Sequence, residues 1–140
     1  MQISELNDSE RAWLKAQLQL AYTLVETYGT HSSQGTIGPE SLDVAWNAWI
    51  SSSAQESEMA NALVNATGSA FGQFLVNTAG LRWVVATDEH GTEMAIIAFE
   101  GTADVIVYPM NLVAKRYETK EQGFILPLLE GIRDQVSKPR

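Results

Sequence analysis

The sequence predicts an α+β fold: an N-terminal three-helix segment, a three-stranded antiparallel meander and two C-terminal helices, in a single domain spanning residues 1–140. Two observations carry this expectation. Apolar residues recur at helical spacing as far as about residue 78, then give way at Leu81 to the alternation and Val/Trp richness of strands. The charge changes at the same place: residues 1–80 hold two basic and eight acidic side chains, residues 81–140 seven and nine. Segregated helices and consecutive short strands, without βαβ alternation, argue against a doubly wound nucleotide-binding sheet.

The elements follow in order. From Asp8 to Tyr28, Leu14, Leu18, Ala21, Val25 and Tyr28 mark one helical face, with Asn7 or Asp8 as cap and Gly29 as stop. Residues 30–38 have turn composition and read as a loop holding His31. Pro39 suits a first helical position, and Leu42, Ala45, Trp46, Trp49 and Ile50 form a second stripe. Ser53 with Glu56 fits a capping box for a helix over 54–78 that buries Met59, Leu63, Ala66, Ala70 and Phe74, with Phe71 and Leu75 on an adjoining row. Gly68 and Gly72 lie four apart on it, which predicts a close crossing by another element. Strands are expected at 81–87 and 93–99, joined by the turn Asp88-Glu89-His90-Gly91 with Gly91 at positive φ. A turn at 100–103 leads to a short strand over 104–108. Pro109 opens a helix carrying Leu112 and Val113, and a last helix after Gly123 aligns Ile125, Leu129, Ile132 and Val136, with Pro127 tolerable in its first turn.

Composition narrows the function. With no cysteine, thiol nucleophiles, disulfides and sulfur-ligated zinc are excluded. A net charge of -8 opposes binding to a nucleic-acid backbone. The start has no signal-peptide pattern and no stretch is apolar enough for a membrane span, so the expectation is a cytoplasmic protein. The two histidines lack metal-ligand spacing: Asp88, Glu89 and His90 diverge on a tight turn, so no metal is expected there. No phosphate cradle and no catalytic constellation is present, and no cofactor is implied.

What remains are binding candidates. Lys115, Arg116 and Lys120 form a basic cluster in an acidic chain; they can serve the dipole at a helix C-terminus or an anion or partner site. Lys115 should face solvent. Trp46 and Trp49 are helical neighbours, Trp13 is off its stripe, and Trp83 is central in a strand and expected to be largely buried. The four tryptophans read first as core, and second as a binding groove. Meander geometry would bring Pro109 beside Asp88, whose carboxylate could clamp the helix start.

The residues Trp83, Asp88, Glu89 and Gly91, followed by Pro109, Val113, Lys115 and Arg116, resemble a bacterial family catalogued as domain of unknown function 3806. In that family a tryptophan strand runs into a "DE-G" turn, and a proline opens a helix ending in "V-KR". The resemblance covers about residues 60–120 and includes the Gly68/Gly72 helix. It implies no activity. The expectation is therefore a non-catalytic protein-interaction module, immunity- or inhibitor-like in its specific version, with an unknown protein partner. The alternative is a small-ligand-binding domain or enzyme with a pocket between the sheet and helix 54–78. Its walls would be Trp83 and Tyr108, its charge Asp88 or Lys115.

Overall fold

The computed structural model describes residues 2–29, 38–52, 59–98 and 105–137. The expected turn at 100–103, the Ser53–Glu56 capping box and the His31 loop lie outside the described residues. Within them the chain runs β1 (Gln2–Ser4), α1 (Asp8–Tyr28), α2 (Pro39–Ser51), α3 (Ala60–Ala79), β2 (Arg82–Asp88), β3 (Gly91–Ala98), β4 (Val105–Val107), α4 (Pro109–Glu118) and α5 (Ile125–Ser137). The class is α+β, with two corrections. The N-terminal segment opens on a strand, and the antiparallel sheet has four strands in the order β1-β2-β3-β4. β1 carries one apolar residue, Ile3, paired with Ala86. Three residues with one hydrophobe give no readable alternation.

α1 starts as its sequence demands. Asn7 Oδ1 accepts from the Glu10 amide at 2.8 Å, and Glu10 Oε1 accepts from the Asn7 amide at 2.7 Å. This reciprocal box satisfies two of the donors a helix start leaves open. α2 has the predicted Pro39 at its first position. Its buried stripe is Leu42, Ala45, Trp46, Trp49 and Ile50. Trp46 and Trp49 are both fully buried, packed edge-on to each other, with Tyr117 stacked on Trp49 and Phe124 edge-on to Trp46. They are core residues and form no exposed groove. The flank of that stripe is polar and holds the start of α5. Asp43 accepts from the Ile125 and Leu126 amides, and Asn47 Oδ1 accepts from the Gly123 amide.

α3 is the central helix, packing on α1, α4 and α5. Its deepest positions are Ala66–Gly72 and Leu75; Met59, expected in the core, is 51% exposed just before the helix. The buried hydroxyls of Thr67 and Ser69 donate back to the carbonyls of Leu63 and Asn65, so neither is left unpaired. The glycine spacing does what it predicts. A Cβ on Gly68 would lie 2.7 Å from Met110 Cα, and one on Gly72 would lie 2.5 Å from the Trp83 ring and 2.8 Å from Pro109. Glycine at 68 therefore lets the α4 backbone close on α3, and glycine at 72 leaves room for the Trp83 and Pro109 rings.

β2 and β3 form a two-residue hairpin with Gly91 at φ 131°, the positive value expected. Residues paired across strands share a face. Trp83, Ile96 and Val107 thus face the helices, as do Val85 and Met94, while Val84, Ala86, Ala95 and Ile97 make a second apolar cluster with Ile3, Ile106 and Tyr108 on the other face. Trp83 is only partly buried. Its ring covers Gly72, and its Nε1 donates to Gln73 Oε1 at 3.0 Å.

Candidate functional site

At one end of the molecule, the start of α1, the hairpin end of the sheet and the start of α4 surround an open groove of about 540 Å³. α1 contributes Asn7, Glu10 and Trp13 to it. Trp13 lies off the buried stripe of α1 and is 38% exposed, so its indole is offered to solvent at the rim. The sheet contributes Val85, Glu93 and Met94, and α3 supplies Asn65. α4 brings Tyr108, Met110 and Asn111, and it reaches this position because Gly68 lets the Met110 backbone sit against α3.

Among the described residues, Glu10 and Glu93 are the only charged ones lining the groove. Both carboxylates are oriented: Glu10 by the Asn7 amide, Glu93 by the Asn111 side-chain amide, whose Nδ2 donates to its two oxygens at 3.2 and 3.3 Å. The Tyr108 hydroxyl is held above the usual tyrosine pKa by partial burial, and then by the negative charges of Asp88 and Glu93. It remains a neutral donor and acceptor across ordinary pH. The groove thus combines an apolar floor of Val85, Met94 and Met110 with a negative field and several amides.

Of the sequence-predicted site residues, Tyr108 alone lines this groove. Trp83 fills the sheet–α3 interface at Gly72, where a pocket had been expected. Asp88 is exposed and accepts from the His90 amide at 2.8 Å, closing its own turn. It does not clamp Pro109, because β4 leaves the sheet after Val107, opposite Ile96, well short of the hairpin tip. Glu93, nearer that exit, makes the sheet-to-α4 contact instead, through Asn111.

The basic cluster is split among three environments. Lys115 is exposed, as expected, and makes no hydrogen bond or ion pair among the described residues. Arg116 is half-buried, its Nη1 donating to the Leu112 carbonyl at 3.4 Å while its buried Nε has no acceptor. Lys120 takes the left-handed conformation, φ 55°, that ends α4. The Lys120 amide donates to the Tyr117 carbonyl and the Glu121 amide to that of Arg116, the paired bonds of a Schellman turn. The ammonium of Lys120 sits 3.5 Å from the centroid of the Tyr117 ring.

Among the described residues no three His, Asp or Glu side chains converge as metal ligands, and no helix is long and apolar enough to cross a membrane. Sequence reasoning missed Asn65, Glu93, Met94 and Asn111, which come together only in the fold. Trp13, off its stripe, was the one local signal.

The architecture defines an α+β domain whose helices cover one face of a four-stranded antiparallel sheet, with a groove at the hairpin end. The chain belongs to the family described as Domain of unknown function (DUF3806), which it matches over residues 41–127, from α2 to the first turn of α5. The match reaches further in both directions than the motif residues suggest, taking in the buried tryptophans of α2. No curated protein and no solved structure matches the chain at a significant level.

Proposed function

We propose that this protein is a non-catalytic interaction module that receives a short basic and partly apolar segment of another protein in the groove between α1, the hairpin and α4. The observation that carries the reading is the lining: an open groove of about 540 Å³, with Trp13 and two methionines for contact and two oriented carboxylates as the only charges among its described residues. Tryptophan and methionine are enriched where proteins bind one another, and complementary charge selects the partner. Asn7, Asn65 and Asn111 would satisfy a bound main chain without adding charge. An immunity- or inhibitor-like role, in which an acidic protein occupies a basic partner, is one form of this function. The net charge of -8 supports it, and also opposes nucleic acid as the partner. Freedom from cysteine suits a reducing compartment such as the cytoplasm.

Site-specific photo-cross-linking in the native host tests this. A benzophenone amino acid replacing Trp13 should give one adduct of defined mass, with a basic segment at the cross-link. The same residue replacing Val44, equally exposed at 43% but on α2, should give none. A small-molecule adduct would favour the ligand-binding alternative, since the groove volume falls within the range of about 300–1,000 Å³ usual for such sites. No adduct at position 13, or equal yields at 13 and 44, overturns the proposal.

A further inference from the structure

We infer that the outer edge of β4, together with the cleft between α4 and α5, binds an extended peptide segment carrying acidic and apolar residues, taken up as an added strand. The cleft has a volume of about 330 Å³ and is bordered by Ile106, Val107, Leu112, Lys115, Leu128 and Ile132. Ile106 and Val107 are successive residues and point to opposite faces of the sheet, yet both border the cleft. It therefore runs along the edge of the strand.

β4 is the terminal strand of the sheet order, and among the described residues no strand pairs with its outer side. Such an edge presents backbone N–H and C=O groups that an incoming strand can bond, while pockets beside it read alternate side chains. Leu112 of α4 with Leu128 and Ile132 of α5, all half-buried, form the apolar wall. The two helices both pack on α3. Charge selects the occupant. Among the described residues, Lys115 is the one charged residue bordering the cleft; it is exposed and has no partner there. A lone unpaired ammonium in a chain of net charge -8 favours a carboxylate at that point. A second copy of this chain fits less well, since it brings another -8 to the contact.

This inference does not rest on the reading of the hairpin-end groove, whose charge is opposite, although Tyr108 and Asn111 border both. The probe is a fluorescein-labelled synthetic peptide alternating Val with Asp, compared with its Val/Lys counterpart, titrated into the full chain and followed by anisotropy. The Val/Asp peptide should bind and slow exchange along β4, whereas the Val/Lys peptide, which the hairpin-end groove can take, should leave β4 exchange unchanged. Lys115→Glu should weaken the first by about tenfold or more and leave the melting temperature unchanged. Amide exchange at Val105–Val107 should slow on adding the Val/Asp peptide, and N-methylation of the peptide backbone should abolish that protection. Binding that ignores Lys115→Glu, or that leaves β4 exchange untouched, overturns the inference. Concentration-dependent protection of β4 without peptide, with a dimer in sedimentation, overturns it in favour of a second copy.

Discussion

Alanine at Gly68 would place its Cβ 2.7 Å from Met110 Cα and 3.0 Å from the Met110 nitrogen. Both neighbours are backbone, so relief requires α4 to move off α3. At Gly72 the new atom meets the Trp83 ring at 2.5 Å and Pro109 Cγ at 2.8 Å. Gly131, exposed on α5, has nothing within 4 Å of the same position and serves as the internal control. All three lie inside helices, so each replacement gains about 1 kcal/mol of helix propensity. Overpacking opposes this by roughly 1–3 kcal/mol, and backbone contacts this short belong at the upper end. The net expectation is a loss of about 1–2 kcal/mol for Gly68→Ala and Gly72→Ala, and a gain of about 0.5–1 kcal/mol for Gly131→Ala. In a chain of this length 1 kcal/mol moves the melting temperature by about 4 °C. Thermal melts followed by circular dichroism should show the first two variants several degrees below the parent and the third a few degrees above. Gly72→Ala should also alter the near-ultraviolet tryptophan signal, because the indole must leave Gln73. If Gly68→Ala melts at or above the parent while Gly131→Ala rises as expected, α3 and α4 are not in backbone contact and the positioning of the groove is wrong.

Two further outcomes follow from buried polar groups. Trp46 Nε1 donates to the Glu121 carbonyl at 2.8 Å, whereas Trp49 Nε1 is buried with no acceptor. Trp46→Phe should therefore destabilise more than Trp49→Phe, by about 1 kcal/mol, in chemical denaturation of the two variants. Equal losses would show that the Glu121 bond contributes nothing. For Tyr108 the neutral form is favoured in the folded state by burial, Asp88 and Glu93. Above about pH 10 the unfolded phenol ionises first, so stability present below that pH falls as pH rises through the folded value. Absorbance titration at about 295 nm should place Tyr108 above an ordinary tyrosine, and Asp88→Asn should move it back down. No response to Asp88→Asn would show that the Asp88 charge does not reach the Tyr108 hydroxyl.

Much of the fold was legible because its local signals agree with its packing. The cap at Asn7, the α2 stripe, the Gly68/Gly72 spacing, Gly91 at positive φ and Pro109 at a helix start each depend on a few adjacent residues. What escaped depends on distance. β1 is three residues long and owes its existence to pairing with β2, more than eighty residues away. The α5 start is held by Asp43 and Asn47, which read as ordinary polar positions on α2. The shift from Asp88 to Glu93 as the carboxylate facing α4 is a matter of register: β3 has eight residues and β4 three, so the chain leaves the sheet partway along β3. The groove escaped for the same reason. Asn7, Asn65, Glu93 and Asn111 sit on four separate elements, and no spacing in the sequence connects them.

The central claim, that the hairpin-end groove takes a basic and partly apolar segment, is tested most directly by a ¹⁵N NMR titration of the full chain with a synthetic peptide alternating Arg with Leu. The account predicts saturable shifts at the Trp13 indole N–H and at the side-chain amides of Asn7 and Asn65, with the peptide's glutamate-for-arginine counterpart producing none at these three groups. Shifts spread evenly over the acidic surface, or confined to residues outside the groove, would contradict it.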